Sequence, residues 1–191
     1  MKSGYCDAIA LATERLAACR PNKVCTRSGA QYRDGVYLVP WFGVPTPLDS
    51  GNDAERILKL HYLIAEGTRP PCGQWIAYRE VPDGLFYASK FMARAIRPLV
   101  KCFGGQPQTL LKAGAALGGV TADAGDAAVT LSILPHLPVT YMVWAGDDEL
   151  PAEGNVLFDR TAIGWLPAED LAVLASVGSY ALIAAHRAQH A

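Results

Sequence analysis

Several signatures that would name a reaction are missing from this chain. None of its five cysteines, Cys6, Cys19, Cys25, Cys72 and Cys102, stands in a Cys-x-x-Cys pair, which leaves no support for a zinc ribbon or an internal iron-sulfur motif. No serine falls in a Gly-x-Ser-x-Gly setting, so a serine hydrolase elbow is disfavoured. The pairs Gly104-Gly105 and Gly118-Gly119 lack the strand-to-helix context and the following Lys or acid that phosphate loops need, and read as helix stops. Positive charge is in no excess: 17 Lys plus Arg stand against 18 Asp plus Glu, so neither nucleic acid nor an anionic membrane is an expected partner. The uncharged stretch Leu171 to Ala185 is fifteen residues, short of the roughly 20 that span a bilayer, and is expected as a core helix. The start, Met1 to Asp7, has no basic segment followed by an apolar run, and the odd thiol count suits a reducing compartment; cytoplasmic residence is the expectation.

What is present is a chain of 191 residues, 51% hydrophobic and 18% charged. That length supports one domain over residues 1–191, burying roughly 70% of the extended chain's surface. Tyr5, Ile9, Ala12, Leu16 and Cys19 repeat at helical spacing, and Pro21 stops the pattern. Between Ala30 and Leu48, aromatic and β-branched residues around Asp34-Gly35 predict two or three short strands, with Pro40 and Pro45 marking exposed edges. Asn52 or Asp53 can cap a helix with Ala54, Ile57, Leu58, His61, Ile64 and Ala65 on its inward face, ending at Gly67. Gln74 to Val81 is expected as a strand, Tyr87 to Phe103 as a helix kinked by Pro98, and Pro107 to Leu117 as a short helix. Ala127 to Leu134 and Val139 to Ala145 are the most apolar strand-like runs, and Trp165 to Asp170 leads into a final helix with acids in its first turn. Strands grouped between helices, instead of alternating with them, predict an α+β fold: one compact domain with a mixed or antiparallel sheet packed with helices.

The densest concentration of potential chemistry is the segment Trp144 to Ala162. Asp147, Asp148, Glu149 and Asp159 could supply oxygen ligands to a divalent metal such as magnesium or calcium, if they converge on one hollow; a solvated acidic turn is the alternative. His61, on the apolar stripe of its helix, suits a general base, an axial ligand or a hydrogen-bonded core residue. His136 sits in a rigid bend between Pro135 and Leu137-Pro138 and could face a pocket, whereas His186 and His190 lie in the tail. Arg79 is expected to pair with the acidic turn or to contact an anionic ligand. Arg94, Arg97 and Lys101 form a basic stripe suited to solvent or to a ligand's phosphate or carboxylate.

One set of blocks resembles a known family as a whole. His61-Tyr62-Leu63, Gly73 to Glu80, Phe86-Tyr87, Leu117-Gly118-Gly119, Gly125-Asp126, Leu134-Pro135, Trp144 to Pro151 and Leu157-Phe158-Asp159 are similar to the domain-of-unknown-function family 3786 of bacteria and archaea, many of them anaerobes. Relatives carry Gly-Asp-Glu-Glu-Phe-Pro where this chain has Gly146-Asp147-Asp148-Glu149-Leu150-Pro151, so Leu150 replaces an aromatic ring. Some relatives place the domain beside a cysteine-rich iron-sulfur domain like those of corrinoid proteins. The resemblance therefore implies an accessory protein of anaerobic redox or one-carbon metabolism that holds a small molecule or a tetrapyrrole or corrinoid cofactor, with an iron-sulfur protein as a possible partner. Arg79, His61, Tyr62, His136 and Trp144 are its candidate ligand-binding residues. A metal-assisted enzyme and a structural subunit of an oligomer are the alternatives.

Overall fold

Helix α1 (Cys6–Ala17) buries Ile9, Ala12 and Leu16, the stripe its periodicity predicts. The computed structural model describes residues 5–67 and 69–189, so His190 and the first four residues lie outside the described part. Pro21 does more than stop α1: it opens a second helix, α2 (Pro21–Ser28), which the sequence reading missed. Proline's fixed φ and missing N–H suit the first helical position.

The next elements are β1 (Gln31–Arg33), β2 (Val36–Trp41) and β3 (Val44–Pro47), an antiparallel three-stranded sheet in that order. Asp34 and Gly35 take φ of 50° and 81°, the left-handed pair a two-residue hairpin requires. Pro45 is on an edge strand as expected, but Pro40 lies in the central strand β2. It is tolerated because β1 reaches only to Leu38 and because Pro40 faces Pro45, so neither side asks it for an N–H.

Helix α3 (Asp53–Ile64) is capped by the Asn52 side chain, which accepts from the Glu55 N–H. Its burial extends beyond one stripe: Lys59, Leu60, Tyr62 and Leu63 are buried with Ile57, Leu58 and Ile64, because α1, α2 and the last helix surround it. The Lys59 ammonium is accommodated by the carbonyls of Pro47 and Ser50, at 2.9 and 2.7 Å.

Residues 74–81 form only a three-residue strand, β4 (Trp75–Ala77), followed by a 3-10 turn. From Gly84 to Phe103 the chain is one helical rod of α4 (Gly84–Phe91), a π turn over Met92–Ile96, and α5 (Arg97–Phe103). The π turn precedes Pro98, whose missing N–H and ring disrupt the regular α ladder. Helix α6 (Gln108–Ala116) leads to β5 (Val120–Ala122), β6 (Ala127–Leu134), β7 (Leu137–Trp144) and β8 (Glu153–Asp159). The second sheet is wholly antiparallel, in the order β4-β8-β7-β6-β5.

Register places Val129, Leu131, Val139, Tyr141, Val156, Phe158 and Ile76 on one face of this sheet, and the long helix α7 (Ala168–Ala188) packs there with α6. A Cβ on Gly178 would overlap the Tyr141 hydroxyl, which donates to the Ala175 carbonyl at 3.1 Å, so glycine permits the closest approach of α7 to β7. At 21 residues α7 is longer than the uncharged run suggested, and among the described residues it alone is long and apolar enough to cross a membrane. Here it is a core element, with nine of its residues, among them Leu171, Leu174 and Leu182, buried inside the molecule. The arrangement is α+β, as expected, with both sheets antiparallel.

Candidate functional site

Antiparallel pairing gives the five-stranded sheet two ends of opposite character. The β7–β8 connection, holding the acidic turn, lies at one end; the β6–β7 bend with His136, the start of β4 and the end of β8 lie at the other. Glu153 and Asp159 bracket the seven residues of β8, and at about 3.3 Å per residue that separates them by about 20 Å.

This geometry separates Asp159 from Asp147, Asp148 and Glu149. Asp147, Asp148 and Glu149 are exposed, and the Asp147 carboxylate closes its own turn by accepting from the N–H groups of Glu149 and Leu150 at 2.9 and 2.7 Å. Those bonds hold its pKa below the ordinary carboxylate value. Asp159, at the far end, is fully buried. One oxygen accepts from the Thr161 N–H and hydroxyl at 2.9 and 2.7 Å; the other accepts from the N–H groups of Cys72 and Gly73 at 3.0 and 2.7 Å. With the Cys72 thiol 3.5 Å from the oxygen that Thr161 holds, five donors fill the acceptor capacity of the carboxylate, leaving none for a cation. Burial pushes this carboxyl up, but the donors from Thr161, Cys72 and Gly73 outweigh it and the pKa falls. Among the described residues no three His, Cys, Asp or Glu side chains gather as a metal site.

Arg79 and Trp144 also stand apart from any shared hollow. β4 turns away at Tyr78, opposite the middle of β8, before Arg79 can reach the acidic turn, and the expected ion pair is not formed. Trp144 ends β7 beside the acids, 38% exposed.

Two of the other three candidates, Tyr62 and His136, meet around Trp165. Trp165 stacks between Tyr62 and His136, with ring centroids 4.9 Å away on each side, and donates its indole N–H to the Arg69 carbonyl at 3.2 Å. Tyr62 donates to the Ser28 carbonyl at 2.8 Å, and burial drives its phenol pKa well up. His136 Nε2 lies 3.1 Å from the Arg27 carbonyl. His61 turns away from this stack and pairs through Nδ1 with Asp170 Oδ2 at 2.5 Å, with Asp170 nearly buried in the first turn of α7. A carboxylate fixing one imidazole nitrogen can orient the other for proton transfer.

Over the stack, two clefts share Pro70 as a common wall. One, of about 500 Å³, is lined by Lys23, Arg27 and His136; the other, of about 900 Å³, by Arg69, Cys72, Arg160, Thr161 and Glu66. Four cations thus border the pair with one acid, and none of the four forms an ion pair among the described residues. Arg27 is committed to the Leu63 carbonyl through one terminal nitrogen, while its Nε is shielded from solvent and meets no acceptor. Gly67 packs against Gly164 so closely that a Cβ would overlap the Gly164 carbonyl, bringing the two rims of the larger cleft together. His61 lines neither cleft. The arrangement is suited to holding an anion; its composition was hidden because the cations come from three separate segments, α2, the loop at Arg69 and the turn at Arg160.

A family model described as "Domain of unknown function (DUF3786)" matches residues 20–181. No curated protein and no solved structure matches the chain.

Proposed function

The chain belongs to that family, and we propose that it is a binding protein for a small polyanion, a molecule carrying two or more carboxylate or phosphate groups, seated in the paired clefts beside Pro70. The observation that carries this reading is the set of Lys23, Arg27, Arg69 and Arg160, which form no ion pair among the described residues, in a chain whose net charge is only −1. Arginine's planar fork suits bidentate capture of carboxylate or phosphate, and the clefts fall within the size range of small-molecule sites. Carboxylate-bearing tetrapyrroles belong to this ligand class. The setting we propose is accessory binding in anaerobic redox or one-carbon metabolism, in the cytoplasm and beside an iron-sulfur protein.

The test is isothermal titration with pyrophosphate and with citrate at low ionic strength. Binding tighter than about 1 mM, weakened at least tenfold by Arg69→Gln with Arg160→Gln and weakened by salt, is the expected result; tenfold corresponds to about 1.4 kcal/mol, within reach of one charge-assisted contact. No heat with either probe, or equal binding by the double variant, overturns the reading.

A further inference from the structure

At the opposite end of α3 from the clefts, a groove of about 420 Å³ runs along the outward face of α7, walled by Trp41, Phe42, Val173, Val177 and Tyr180. A second hollow continues it and shares Tyr5, Arg94 and Val173. Arg94 therefore overlooks both, and it occupies the π turn of the α4–α5 rod, a helix irregularity that recurs at functional sites. The acids of the groove are already engaged. Glu55 accepts from the Asn52 side-chain amide at 3.3 Å, and Glu169 lies 3.5 Å from the Tyr87 hydroxyl. Lys90 sits over the Tyr87 ring at 5.9 Å. Arg94 has no ion-pair partner among the described residues.

A second observation comes from the opposite wall. Phe42 has φ of 49°, a left-handed conformation that is costly for a bulky side chain. It is held there by the β2–β3 turn and by its N–H, which donates to the Ile133 carbonyl at 3.0 Å. The turn needs a left-handed residue, which Asn or Gly would supply without strain. Phenylalanine instead presents its ring to the groove, edge-on to Trp41 at 5.8 Å and 88°.

We infer that this groove is a second binding site, for a flat aromatic molecule carrying one acidic group. The ring system lies between Trp41-Phe42 and Tyr180 over Val173 and Val177, and the acid reaches Arg94. Charge and shape both select this occupant: one open cation beside a slot walled by aromatic rings.

The probe is 8-anilinonaphthalene-1-sulfonate, a fused aromatic sulfonate whose fluorescence rises on entering an apolar site. The native protein is expected to bind it one to one. Arg94→Gln should weaken binding about tenfold. Phe42→Asn should weaken it at least threefold while leaving the thermal midpoint unchanged or higher, since asparagine tolerates the turn better. That combination separates a ligand wall from a merely structural residue. Arg160→Gln, in the other cleft, should leave binding unchanged, so this outcome is distinguishable from failure of the polyanion reading. Absence of binding, binding indifferent to both Arg94→Gln and Phe42→Asn, or binding lost with Arg160→Gln overturns the inference.

Discussion

Asp159 carries the sharpest energetic consequence of the structure, because every one of its partners is a donor. Replacing it by asparagine keeps the shape but turns one oxygen into an amide NH2. If that group takes the side facing Cys72 and Gly73, it meets two N–H groups that now have no acceptor; in the other orientation it meets the N–H and hydroxyl of Thr161. Hydrogen bonds to a charged group are worth about 1.5–3 kcal/mol each, and donors left buried without acceptors add to the loss. Relief from no longer burying a charge offsets part of it. A net destabilisation of about 3 kcal/mol is expected for Asp159→Asn, read as a lower urea midpoint at unchanged slope. At this chain length the thermal midpoint falls by about 6–12 °C. The pH dependence fixes the sign independently. The folded carboxyl has a pKa below its unfolded value, so its contribution is complete above about pH 4, the unfolded value, and is lost as pH falls through the lower folded value. The gap between wild type and Asp159→Asn should therefore be flat from pH 5 to 7 and close in more acid solution. A loss under about 1 kcal/mol, or a gap that does not close in acid, refutes the anchoring role.

Two further outcomes follow from the same geometry. His61→Gln and Asp170→Asn should be coupled, with a double-mutant interaction energy of about 1–2 kcal/mol by urea denaturation at pH 6, because their contact is direct and Asp170 is nearly buried; additivity would show that the pair contributes nothing. In the acidic turn, Asp148→Asn with Glu149→Gln should leave the thermal midpoint unchanged, as surface changes usually do, whereas Asp147→Ala should lower it measurably by removing the acceptor of its two turn hydrogen bonds. Millimolar magnesium or calcium should leave the wild-type thermal midpoint unchanged; a rise abolished by Asp148→Asn would restore the metal site.

Local patterns made much of the framework legible. The Ile9-Ala12-Leu16 stripe, the Asp34-Gly35 hairpin, the Asn52 cap and the β6 and β7 runs each announce themselves within a few residues, because capping, turn chemistry and periodicity are short-range. What stayed hidden needs long-range contacts. Helix α2 is only eight residues long and begins at a proline that also reads as a stop. β8 carries Gly154 and Asn155, weak strand formers made extended by pairing with β7 and β4. Lys59, a charged residue at a nominally polar position, is buried only because the carbonyls of Pro47 and Ser50 fold back over it. Trp165, which organises Tyr62 and His136, looked in sequence like the lead-in to a helix.

The candidate acids part for a related reason: adjacency in sequence is not adjacency in space. Asp147 and Asp159 are separated by twelve positions and by the whole length of a strand, whereas residues 23–27, 69–74, 136 and 160–164 converge at the other end of the sheet. Of the four candidate acids only Asp159 reaches that end, where its charge is stabilised without a counter-ion among the described residues. Asp159 is satisfied by backbone N–H groups and a hydroxyl, not by Arg69 or Arg160. Had either arginine served as its counter-ion, the cleft would have spent a cation on holding itself together. Because dipoles of the loop do that work, the structural demand for a buried carboxylate and the capacity to attract an anion coexist behind and in front of the same loop.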